Sequence, residues 1–74
     1  MKSALETAIE TLSPLGVHPR DVEVIQTTRT IYRIENSCSV EQWTVAILDA
    51  RLIRETAERF DQALATVVTL LGGR

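Results

Sequence analysis

The sequence holds one cysteine, one histidine, two prolines and three aromatic side chains in 74 residues. Each scarcity removes a class of protein. Cys38 alone makes no internal disulfide, so the usual staple of small secreted domains is missing and a reducing cytoplasm is the expected compartment. Cys38 and His18 together supply half of a closed zinc site, and no CxxC or HxxxH spacing adds the rest. No metal and no cofactor is expected.

Long apolar runs are also missing. The longest are Val45 to Leu48 and Ala63 to Leu71, the second interrupted by Thr66 and Thr69, and both fall well short of the ~20 residues a membrane span needs. The first residues, Met1 to Glu10, carry acids at Glu6 and Glu10 with no continuous apolar core, so no signal peptide is expected. An excess of positive charge is absent as well: 8 basic against 10 acidic side chains give a net charge of −2. The whole-molecule field therefore does not favour nucleic acid or an anionic membrane.

The chain does contain enough apolar residues to fold, 45% of the total, which argues against disorder. At this length one small domain is expected, residues 1–74, burying only ~60% of the surface its unfolded form exposes. Small scaffolds compensate with disulfides, metals or association. With the first two excluded, association is the expectation.

Residues Ser3 to Leu12 place Leu5, Ala8, Ile9 and Leu12 on one helical face. Ser3 and Glu6 have the spacing of a capping box. Pro14, Gly16 and Pro19 then make Ser13 to Asp21 a loop. From Val22 to Glu35 every charge, Glu23, Arg29, Arg33 and Glu35, falls on an odd position. Period two and the β-branched content predict a long strand, with a bend or bulge near Gln26 to Arg29 because strands usually end by ~10 residues. Asn36 to Ser39 reads as a polar connection and Glu41 to Asp49 as a second strand closing a hairpin. Trp43, Ala46 and Ala50 also keep the three- and four-residue spacing that continues through Ile53, Ala57 and Phe60, so the alternative is one long helix over residues 39–72.

The last third predicts a helix from Arg51, capped by Asp49, with i,i+4 ion pairs among Arg51, Arg54, Glu55, Glu58 and Arg59 and a stop at Gly72. The fold class is thus α+β, in the order helix, strand, strand, helix, with both helices on one face of an antiparallel hairpin. A two-stranded ribbon is a poor sheet, so pairing of two copies is expected to complete it. Beyond Gln62 the last helix is apolar on nearly every side, and such a helix must be covered on every side. Leu64, Val67, Val68, Leu70 and Leu71 are accordingly expected to form a protein interface.

No catalytic residue is assigned. Cys38 and His18 would have to meet across 20 residues, and nothing orders the imidazole or supplies an oxyanion site. The terminal Leu71-Gly72-Gly73 is similar to the di-glycine tails of ubiquitin-like modifiers and sulfur carriers, which leave a β-grasp domain in extended form; here the glycines come directly after an apolar helix. Two functional readings remain. The first is a non-enzymatic adaptor, inhibitor or assembly factor in the cytoplasm, a homo-oligomer, in the simplest case a homodimer, held by its apolar C-terminal helix, that acts by binding another protein. The second is a dimeric β-ribbon DNA binder contacting phosphates and bases through Arg29 and Arg33.

Overall fold

In the computed structural model, which describes residues 2–72, the expected α+β class is found with one strand more than the sequence pattern predicts. Helix α1 spans Ala4–Leu12, β1 Val22–Tyr32, β2 Ser37–Ile47, β3 Ile53–Ala57 and α2 Phe60–Gly72. The three strands form one antiparallel sheet in the order β1-β2-β3.

Helix α1 begins where its sequence dictates. The Ser3 hydroxyl accepts from the Glu6 N–H at 3.1 Å and the Glu6 carboxylate accepts from the Ser3 N–H at 2.9 Å, so two donors of the first turn are satisfied reciprocally. The loop after it winds into two short 3-10 turns, Ser13–Leu15 and Pro19–Asp21, each with proline near its start. Gly16 ends the first in the left-handed region at φ 89°, a conformation glycine takes without strain.

Register explains the core. Val22 pairs with Ile47, Val24 with Val45, Ile47 with Ile53 and Trp43 with Ala57. Directly opposed residues share a face, so these apolar side chains form one surface. Ala8 and Leu12 of α1 and Ala63, Leu64 and Val67 of α2 pack against it in a single cluster, which places both helices on the same side. Trp43 meets Phe60 of α2 edge-on, with ring centroids 5.5 Å apart, a geometry suited to the ring quadrupoles.

Several local expectations are corrected. No bulge interrupts β1, because eleven consecutive residues keep register with β2 without a skip. The connection between β1 and β2 comes three residues earlier than the composition suggests, so Arg33, Ile34 and Glu35 leave the expected first strand and Ser37 to Ser39 belong to β2. Residues 53–57 form β3 and not the start of a helix; α2 begins at Phe60, and the ion pairs expected along a helix from Arg51 do not form. Arg51 pairs instead with Asp49, Arg59 with Asp61, and Arg54 lies 3.9 Å from Glu23 across the sheet.

Asp49 builds the turn from β2 to β3 and does not cap α2. Its C=O accepts from the Leu52 N–H at 3.0 Å and its carboxylate from the Arg51 N–H at 2.9 Å. Hydrogen bonds from the Arg51 side chain, then from its backbone, hold the Asp49 carboxyl below its ordinary range. Because the folded value is lowered, this contribution is present above the ordinary carboxylate range and lost as pH falls through the lowered value.

The same turn forces Leu52 to φ 50°. A bulky residue in the left-handed region carries ~1–2 kcal/mol of strain, and this side chain is exposed. Leu52→Gly is therefore expected to raise stability by about 1 kcal/mol, read as a higher denaturation midpoint at unchanged slope. A lower midpoint would show that the leucine side chain makes stabilising contacts.

Candidate binding surface

The hairpin outruns the rest of the domain. The last pair of β3 with β2 is Trp43 with Ala57, whereas β1 and β2 continue from Thr27 and Gln42 out to Tyr32 and Ser37. Those six further pairs make an arm ~20 Å long at the usual strand rise. Nearly all its side chains are exposed. The arm accounts for a Cα radius of gyration of 14.1 Å, against ~11 Å for a compact domain of this length.

The tip of the arm breaks two local rules. Ile34 and Glu35 form a two-residue loop closed by the Arg33 N–H donating to the Asn36 C=O at 2.9 Å. Such loops favour Asn-Gly or Gly-containing pairs, whose positive φ matches the twist of the strands; neither Ile34 nor Glu35 has positive φ. The second breach is exposure: Tyr32 is 81% and Ile34 104% accessible, the two most exposed large apolar residues among those described. Local choices that cost stability without local gain concentrate at functional sites.

The outer edge of β1 is open. The Asp21 C=O accepts from the Leu48 N–H and the Arg33 N–H bonds to Asn36, so odd residues turn their backbone groups to β2. The Val22 N–H points the other way, to the Pro19 C=O. Antiparallel alternation then aims the N–H and C=O groups of Val24, Gln26, Thr28, Thr30 and Tyr32 outward. Odd side chains lie on the helix-free face of the sheet and even ones on the helix side.

The expected C-terminal interface is largely consumed within the chain. Leu64 and Val67 are buried in its own core, Val68 and Leu71 are half-buried and only Leu70, 53% accessible, stands exposed. Val68 and Leu64 line one wall of a groove of about 670 Å³ between the helices, with Ala4, Thr7 and Thr11 opposite. Apart from Leu70, the apolar stretch of α2 turns outward residues that are small or self-satisfied, Ala65, Thr66 and Thr69. Thr66 and Thr69 donate their hydroxyls to the C=O groups of Gln62 and Ala65 at 3.0 and 2.9 Å.

Arg29 and Arg33 do lie on the arm, with Arg33 at the tip. Over residues 26–42 they are matched by Glu35 and Glu41, so the arm has no net charge. Cys38 is exposed on the arm opposite Ile31, nine residues along β1 from Val22. His18 sits before Val22, where its Nδ1 accepts from the Arg20 N–H at 3.2 Å. Some ~30 Å of strand thus separates thiol from imidazole, and no site forms between them. Gly72 continues α2 and does not adopt the left-handed stop; Gly73 and Arg74 lie outside the described residues.

These features define a small α+β domain of order αβββα whose central hairpin projects as a free arm. Set against protein-family models, curated proteins and solved structures, the chain matches none of them. Among the described residues no helix is long and apolar enough to cross a membrane.

Proposed function

We propose that the protein is a non-enzymatic binding protein of the cytoplasm, an adaptor, inhibitor or assembly factor, which engages a partner protein through its β1–β2 arm. The observation that carries this reading is the arm tip, where Tyr32 and Ile34 stand in solvent on a loop whose sequence does not suit its turn. A two-stranded ribbon is marginal in water by itself, so a partner that covers it also stabilises it. Aromatic anchors near the centre of a contact carry much of its binding energy, and Tyr32 is the only exposed aromatic among the described residues. The balanced charge of the arm speaks against duplex DNA, whose capture rests on neutralising phosphates.

Replacing Tyr32 and Ile34 together by serine tests the proposal. Both side chains are exposed, so the melting temperature is expected to stay within the range of ordinary surface changes, ~0.5 kcal/mol. Any complex seen in the native mass of the parent protein is expected to weaken at least tenfold. Undiminished association would move the contact to another surface, with Val68, Leu70 and Leu71 on α2 next in order.

A further inference from the structure

We infer that the occupant of the arm is a second copy of the chain, joined β1 to β1 in antiparallel about a two-fold axis at Thr28, so that two three-stranded sheets become one of six strands. This inference rests on the reading of the arm as the binding element. Its first support is the edge itself. Long edge strands are normally blunted by proline, lysine, bulges or a covering element, and β1 has eleven residues with no proline, no lysine and no bulge. Its outward amides and carbonyls are complementary to those of an identical strand running the other way.

The side chains choose the register. With the axis at Thr28, each residue faces the partner residue whose number completes a sum of fifty-six, an arithmetic that the sequence fills favourably on both faces. On the helix-free face Glu23 meets the partner's Arg33, Ile25 meets the partner's Ile31, and Thr27 meets the partner's Arg29. On the helix side Val24 meets the partner's Tyr32, Gln26 the partner's Thr30, and Thr28 its own copy. Opposite charges, paired β-branched residues, an aromatic beside a valine and a Thr–Thr pair are the favourable cross-strand combinations. Moving the axis one residue towards the tip sets Arg29 against Arg29. One residue the other way sets Ile25 against Arg29. Both replace matched pairs with unfavourable ones.

The same register explains the exposed tip. Val24 packs on the edge of the core beneath the helices, so the Tyr32 ring of one copy extends the apolar surface of the other, and Ile34 is carried towards the partner's Val22. Glu23, already 3.9 Å from Arg54, comes to lie between two arginines. The accessible surface, 5244 Å², also exceeds the ~4,600 Å² of a typical monomer of 8.3 kDa. That surplus approaches the ~800 Å² each partner gives up in a standard interface.

Cysteine trapping and one proline test the register. A directly opposed, non-hydrogen-bonded pair has Cα atoms ~4.5 Å apart and its side chains closest, the cross-strand geometry a disulfide bridges; in this register Ile25 and the partner's Ile31 form such a pair. In a Cys38→Ser background, Ile25→Cys mixed with Ile31→Cys is expected to form a covalent dimer under mild oxidation, whereas Ile25→Cys alone and Arg29→Cys alone are not. Thr28→Pro, which removes only an outward N–H and is tolerated on an edge strand, is expected to give a monomer with an unchanged circular dichroism spectrum. Equal trapping by Ile25→Cys alone, Arg29→Cys alone and the mixed pair, or a dimeric Thr28→Pro protein, overturns the inference. If trapping fails for the mixed pair while the serine substitutions at Tyr32 and Ile34 still abolish an association, the arm remains the binding element and the second copy is not its occupant.

Discussion

Val67→Asp is expected to abolish cooperative unfolding, leaving a chain without a thermal transition by circular dichroism, while Val68→Asp one residue on is expected to fold. Val67 is completely buried among the sheet and both helices, and Val68 is half-buried on the wall of the interhelix groove. A chain of this length has ~4–11 kcal/mol of stability at ordinary per-residue values. Losing the buried valine surface removes ~1.5–3 kcal/mol. Placing a carboxylate in that apolar setting with no partner costs several more, so the total reaches the whole stability of a small domain. A native-like melt of Val67→Asp would show that this side chain faces a surface and belongs to an interface after all.

Shortening the arm is expected to leave the domain folded and to eliminate its association. Replacing residues 30–39 by Asn-Gly joins Arg29 to Val40, an opposed pair on the hydrogen-bonded alternation that a two-residue loop needs. The deleted residues lie beyond the end of β3 and outside the core cluster, so nothing that holds the helices is removed. The new turn suits its loop better than Ile34-Glu35 does, and melting is expected at or above the parent temperature. Native mass is expected to fall from the associated species to the single shortened chain. Persistence of the larger mass would place the contact on the helices and contradict the arm reading.

How far the sequence discloses this fold depends on which periodicity each segment carries alone. Ser3 and Glu6 fix the start of α1 because a capping box is a local, two-way hydrogen-bond pattern. The odd-numbered charges of Val22 to Glu35 reveal β1 because no helical winding gathers them. β3 is hidden by a coincidence. Ile53 and Ala57 belong equally to a strand face and to the helical spacing that continues through Phe60 and Leu64, and the acids and arginines around them mimic helix ion pairs. The turn that separates β2 from β3 contains no glycine; Leu52 takes the strained conformation instead, and so erases the usual signal.

The candidate site is legible in a similar, partial way. An all-apolar helix end suggests a covered surface, yet small outward residues and back-bonded threonines let α2 expose that side with little apolar area. The expected need for a second copy to complete a two-stranded sheet disappears near the helices, where β3 supplies the missing strand. It persists along the arm, where β1 and β2 continue without a third strand. The tip is not legible: Tyr32 to Glu35 keeps the strand alternation and contains no glycine, so composition places the connection at Asn36 to Ser39, and only the pairing of Tyr32 with Ser37 puts Ile34 and Glu35 in the loop.

The most direct measurement is amide hydrogen exchange along β1 at a protein concentration where native mass shows association. The amides of Val24, Gln26, Thr28, Thr30 and Tyr32 point away from β2 and have no partner within the chain's sheet. Protection of these amides, lost on dilution to the monomer, is therefore expected if the arm edge is the contact. Fast exchange at all five, with association intact, would contradict it.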